Sequence, residues 1–145
     1  MRRALPSVLI VAVLAAGAAP VVSADARFRV IVHPQVKGNQ IPRAALSLIF
    51  LKQAPKWGDG NAVAPVDQSL KSPVRMSFSA DVHQRALVEV QVYWQRKIAA
   101  GLVPPPVKTS DEEIVAFVAS TPGAIGYVSP DTSLPDSVRE VVVVN

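Results

Sequence analysis

Cysteine is absent from this 145-residue chain, and histidine occurs only at His33 and His83. The first absence excludes a disulfide framework, a cysteine-bound zinc site and a thiol nucleophile. It also closes the route to a lipid anchor on an N-terminal cysteine. The two histidines lie far apart in sequence, without the Asp/Glu spacing of a metal site, so surface or loop roles are expected for both. Aromatic residues make up 6% of the chain, and no Lys/Arg stripe interleaves with them as a nucleic-acid surface would require. A glycine-rich phosphate loop, a nucleophile elbow and a metal motif are all missing. These absences point away from an enzyme, from any cofactor or metal, and from a nucleic-acid partner.

What is present begins with an export signal over residues 1–24. Arg2 and Arg3 form a positive start, Leu5 to Val22 an almost unbroken apolar run, and Val22-Ser23-Ala24 a small-residue cleavage pattern. Cleavage is expected after Ala24 or Ala26. An uncleaved anchor is the alternative, since roughly 18 apolar residues just span a bilayer. Pro6, Gly17 and Pro20 favour cleavage. The expected location is therefore the periplasm or the medium, soluble after cleavage and not as a lipoprotein. Residues 25–145, about 120 in all, suit one domain with one core. Loss of Arg2 and Arg3 lowers the formal charge from +4 to about +2. That mild basicity permits an anionic ligand.

Along the rest of the chain, strands and helices alternate. Phe28 to His33 reads as a β-branched strand ended by Pro34. Pro42 suits the first turn of a helix whose buried stripe is Ala45, Leu46, Ile49 and Phe50. Trp57-Gly58-Asp59-Gly60 is a turn, with Trp57 more apt to pack than to stack on a ligand, and Ala62 to Val66 a short strand. Ser72-Pro73 opens a helix over Val74 to Ala80, with a hydroxyl at the N-cap and proline at the first helical position. A longer helix over Arg85 to Ala100 should bury Leu87, Val90, Trp94 and Ile98, with Gly101 ending it. Pro104-Pro105-Pro106 is a rigid connector.

Ser110 and Glu113 form a capping box, with Asp111, Glu112 and Glu113 at the positive end of the helix dipole. That role accounts for these carboxylates without catalysis. Ile114, Phe117 and Val118 make the buried stripe. Ile125 to Val128 and Val138 to Val144 are strands, the second expected to be buried on both faces because of its valine run. The alternation implies an α/β sandwich, a mixed sheet covered by helices.

The ordered set of pieces resembles the phosphate ABC transporter substrate-binding proteins, which have the type II periplasmic-binding fold. Those pieces are the strand Val30–His33, the helix ending Ile49-Phe50, and Lys56-Trp57 followed by Asp59-Gly60. Next come Pro65-Val66, the helix start at Ser72 followed by Phe78, Tyr93-Trp94, and Pro122-Gly123-Ala124-Ile125-Gly126-Tyr127. The likeness runs from about Val30 to Val144 and is greatest to small, single-lobe members. It implies a three-layer α/β/α sandwich with a mixed sheet, one lobe of a fold that usually has two.

In two-lobed relatives a Ser-Gly-Thr at a helix N-terminus grips phosphate, with an arginine a few residues upstream. Here the matching residues are Ser72-Pro73-Val74, and Asp67 or Gln68 falls where that arginine would be. Only Ser72 is kept. The resemblance implies weak phosphate or other small-anion binding by Lys71, Ser72 and Arg75. A membrane transporter or another periplasmic protein, or a second copy in a homodimer, would complete the site. The alternative is an interaction or scaffold module that kept the lobe and lost the ligand.

Overall fold

The computed structural model describes residues 27–145; the export signal read at residues 1–24 lies outside them. In chain order the elements are β1 (Arg29–Val32), β2 (Gln40–Pro42), α1 (Arg43–Phe50), β3 (Ala64–Pro65), β4 (Asp67–Gln68) and α2 (Pro73–Phe78). There follow α3 (Leu87–Ala99), β5 (Val107–Lys108), α4 (Asp111–Ser120), β6 (Ala124–Val128) and β7 (Arg139–Val144). The main sheet has the order β2-β7-β1-β6-β3. Its middle strand β1 is antiparallel to both neighbours, with Ile31 opposite Gly126 on one side and Glu140 on the other. The edges β2 and β3 add in parallel, so the sheet is mixed.

Side chains alternate across the pleat and divide the interior into two halves. Val30, Val32, Ile125, Tyr127 and Val141 face α1 and α2, joining Leu46, Ile49, Phe50 and Phe78. Ile31, Ala124 and Val128 face α4, meeting Ile114 and Val118. Helices thus lie on both faces, giving the expected three layers. The first half is organised by rings. Phe78 stacks on Tyr127 at 3.9 Å between centroids, while Phe50 and Phe28 meet Phe78 edge-on at 4.8 and 5.3 Å. Such pairs add about 0.5–1.5 kcal/mol each beyond their buried area.

Several local expectations change. The valine run of β7 is not buried on both faces, for Val142 is 59% exposed. The helix on that side, α4, packs mainly on β6 and β1 and leaves Val142 of β7 uncovered. In α3 only Val90 and Trp94 are buried, and Ile98 is 53% exposed. Tyr93 holds this helix by donating to the Leu51 carbonyl at 2.7 Å, so its far end stands clear of the core. Pro42 is the N-cap of α1 rather than its first helical residue. The α4 cap forms at Ser110, whose Oγ accepts from the Glu113 N–H at 3.2 Å. The Glu113 carboxylate, however, reaches past Ser110 to the Thr109 N–H at 2.8 Å. Trp57 packs structurally, donating from Nε1 to the Gly123 carbonyl at 3.0 Å.

His83 is half-buried, not a surface residue. It ends a π-helical turn, Ser79–His83, that continues α2. Its Nδ1 lies 2.8 Å from Ser47 Oγ, and its ring meets Phe78 edge-on. Burial pushes its pKa down from 6.5 to about 4, helped by the charges of Arg85 and Arg75. The folded chain therefore keeps His83 neutral where the unfolded chain protonates it. The stability this carries is complete above pH 6.5 and is lost as pH falls toward about 4. Urea unfolding should weaken by about 2 kcal/mol between about pH 7 and pH 5, and His83→Gln should flatten that slope.

Two glycines are obligatory for packing. Gly123 has φ +80°, and a Cβ there would collide with the Ala62 carbonyl. At Gly126 a Cβ would sit 2.8 Å from Ile114 and 2.9 Å from Val66, so α4 can approach β6 only over a bare backbone. Gly126→Ala should cost about 1–3 kcal/mol through overpacking, with Gly123→Ala costing more because backbone must move. Thermal melts of the two variants would test that order.

Candidate functional site

The resemblance directs attention to the start of α2, where Lys71, Ser72 and Arg75 were expected to hold an anion. The two-residue strands β4 and β5 pair in parallel there, apart from the main sheet. This small ladder lays Asp67 and Gln68 beneath α2 and beside the N-terminus of α4. Asp67, Gln68 and Arg75 are all buried.

Arg75 points inward. Its Nη2 lies 3.3 Å from Asp67 Oδ2, and its Nη1 donates to the Gln68 carbonyl at 2.7 Å. The other carboxylate oxygen of Asp67 accepts from the Tyr127 hydroxyl and, at 2.9 Å, from the Gln68 N–H. Burial raises the Asp67 pKa above its ordinary value, although Arg75, Tyr127 and Gln68 all oppose the rise. Burial also pushes Tyr127 well up, reinforced by the charge of Asp67, so its hydroxyl remains a donor.

Gln68 spends its whole amide on the same network. Its Nε2 donates to Asp111 Oδ1 at 2.9 Å and to the Tyr127 carbonyl at 2.8 Å, while Oε1 accepts from Ser72 Oγ at 2.8 Å. Asp111 in turn accepts from Thr132 Oγ1 at 3.0 Å and from the Ser129 N–H at 3.3 Å. Burial acts to raise the Asp111 pKa, but the hydrogen bonds from Ser129, Gln68 and Thr132 outweigh it and hold the group below its ordinary value. Among the described residues no buried side-chain polar atom lacks a partner.

Of the three expected anion contacts, Lys71 is exposed, Ser72 is half-buried and Arg75 is buried. Ser72 stands at the N-cap but caps nothing, because its hydroxyl has turned back to Gln68. Sequence reasoning placed Asp67 and Gln68 where an arginine would fall. It missed their union with Arg75, Tyr127 and Asp111. One signal was present: Tyr127 brings a hydroxyl into a fully buried strand, and such a group demands an acceptor.

Arg75→Ala should cost about 3–5 kcal/mol, since it leaves the buried Asp67 charge uncompensated. Removing both partners in Arg75→Met/Asp67→Asn should recover much of that loss. Urea unfolding of the single and double variants checks the coupling.

No family model and no curated protein matches this chain. Solved structures do. One is a phosphate ABC transporter substrate-binding protein with bound phosphate from Clostridium perfringens. It is 19% identical, with a TM-score of 0.64, over 80% of this chain and 44% of that one. An ABC-type phosphate transport receptor from Vibrio cholerae is 18% identical, with a TM-score of 0.62, over 80% and 45%. PstS from Borrelia burgdorferi gives 16% identity and a TM-score of 0.63, over 81% and 47%. The chain spans less than half the length of each of these structures. With its mixed sheet between two helical layers, the chain has the fold of a single phosphate-binding-protein-like lobe.

Proposed function

We propose that this chain is an exported, non-enzymatic solute-binding protein of one lobe, related to the phosphate-transport receptors, that takes a phosphate-like anion weakly at the start of α2. The observation that carries the reading is the fold shared over 80% of the chain with a phosphate-bound substrate-binding protein. Lys71, Ser72 and Arg75 are the residues assigned to the anion. Lys71 brings an exposed charge, and no side chain caps the first turn of α2, which leaves backbone donors for an anion. Affinity is low because Arg75 reaches the ligand only by leaving Asp67, and Ser72 only by leaving Gln68. Closure of a cleft needs a second wall, from another copy or from a periplasmic or membrane-transport partner.

One observation favours a second reading. The polar groups around Gln68 already satisfy one another, as in a lobe that has given up its ligand and serves as an interaction module.

Calorimetric titration of the exported chain in phosphate-free buffer separates the two, with sulfate as control. The anion reading expects saturable heat with a Kd on the order of a millimolar. Lys71→Gln/Ser72→Ala should weaken it, and Asp67→Asn, by freeing Arg75, should tighten it. No heat at millimolar phosphate in any of these proteins would sink the anion reading and leave the interaction module.

A further inference from the structure

Among the described residues, the far end of α3 carries the largest concentration of exposed aliphatic side chains close together in sequence. Ile98 is 53% exposed, Leu102 41% and Val103 75%. Leu102 and Val103 lead directly into Pro104-Pro105-Pro106. Pro105 is buried and fixes the connector against the domain, and the Pro106 carbonyl accepts from the Asp67 N–H at 2.8 Å. The apolar tip is thus held outward by a stiff strut whose far end belongs to the β4–β5 ladder.

Its backbone offers few free donors, as the last turn of a helix does, and the prolines that follow add none. The helix ends on Gly101 at φ +91°, where the Gly101 N–H bonds to the Ile98 carbonyl and the Leu102 N–H to the Lys97 carbonyl, both at 2.9 Å. The Ala100 N–H is taken by the Arg96 and Lys97 carbonyls. The three prolines have no N–H at all. An unpaired N–H opposes transfer out of water, and here Val103 alone between Ala100 and Pro106 brings one to the tip. Among the described residues, the carbonyls from Ala100 to Val103 accept no backbone bond. They need water or headgroups, which sets the depth at the bilayer interface rather than the hydrocarbon core.

Charge fits the same surface. From Val90 to Ser110 the chain has no carboxylate, whereas Arg96 and Lys97 flank the tip. Lys97 Nζ lies 5.5 Å from the centre of the Tyr93 ring, which draws that cation one turn back along α3, behind the apolar tip. Lys108 is not counted, since it turns toward Phe117 and Glu113 on α4. Aliphatic side chains at the apex with cations behind them match an anionic lipid surface. A protein partner would also cover the apolar residues, but Arg96 and Lys97, with no carboxylate between Val90 and Ser110, favour an anionic lipid surface.

We propose that the α3 terminus is a membrane-docking tip: Ile98, Leu102 and Val103 seat among the headgroups of an anionic bilayer while Arg96 and Lys97 meet its charge. This goes beyond the anion reading and does not depend on it. The test is co-sedimentation of the exported chain with phosphatidylcholine vesicles, either pure or containing about a quarter phosphatidylglycerol. Binding should be stronger to the anionic vesicles and should weaken with salt. Leu102→Ser/Val103→Ser should lower it roughly tenfold or more, with melting unchanged because both residues are exposed. Arg96→Gln/Lys97→Gln should remove the preference for anionic vesicles. Val142→Ser, which removes an exposed valine elsewhere, should bind as the parent does. Absence of binding to both vesicle types would overturn the proposal and assign the tip to a protein partner, as would binding indifferent to the Leu102 and Val103 substitutions.

Discussion

The ion pair between Asp67 and Arg75, sealed beneath the Tyr127 hydroxyl, is the constraint around which this lobe is arranged. A buried carboxylate and a buried guanidinium are tolerable only when each satisfies the other and the remaining lone pairs and protons find partners. Meeting that condition requires α2 to lie over the β4–β5 ladder, because Arg75 must reach both Asp67 and the Gln68 carbonyl. It requires β6 to bring Tyr127 in from the other side, and that ring then stacks on Phe78. Gln68 extends the same chain of bonds to Asp111, which fixes the start of α4 and the Ser129–Thr132 turn. One polar network thus joins a helix from each face of the sheet.

That network also explains why the site looks as it does. In a ligand-gripping lobe, donors at a helix start are left for the anion. Here the side-chain donors of Ser72 and Arg75 are directed inward, and a glutamine serves as the junction where the resemblance leads one to look for an arginine. The exchange makes electrostatic sense. With Asp67 already neutralising Arg75, a second guanidinium at Gln68 would crowd two like charges into a low-dielectric interior. A neutral amide supplies donors and an acceptor without that cost.

The main elements were legible from the sequence because their signals are local. Apolar spacing in α1, the serine cap before α4 and the Gly-Ala-Ile-Gly-Tyr strand each declare themselves within a few residues. What escaped was decided across the chain. The short strands β2 and β5 have no pattern of their own and exist only through β7 and β4. The valines of β7 read as doubly buried, yet how far α4 extends over the sheet is not written in those valines. Ile98 fits the helical stripe of α3, but the stripe is longer than the surface it covers. At the site, Ser72 was read correctly as a helix start. Its hydroxyl was claimed by Gln68, four residues earlier, and Arg75 by Asp67, eight residues earlier. Burial of a charge is a tertiary event, and sequence spacing does not announce it.

The strand order has a further consequence. Both borders of the main sheet are very short, and each closes on a proline, Pro42 in β2 and Pro65 in β3. A proline cannot donate to an incoming strand, and so brief an edge offers few bonds to a neighbour. Growth of the sheet from one molecule into the next is disfavoured at both margins. Contact between copies through the margins of the main sheet is thereby disfavoured, and side-chain surfaces are left to carry it.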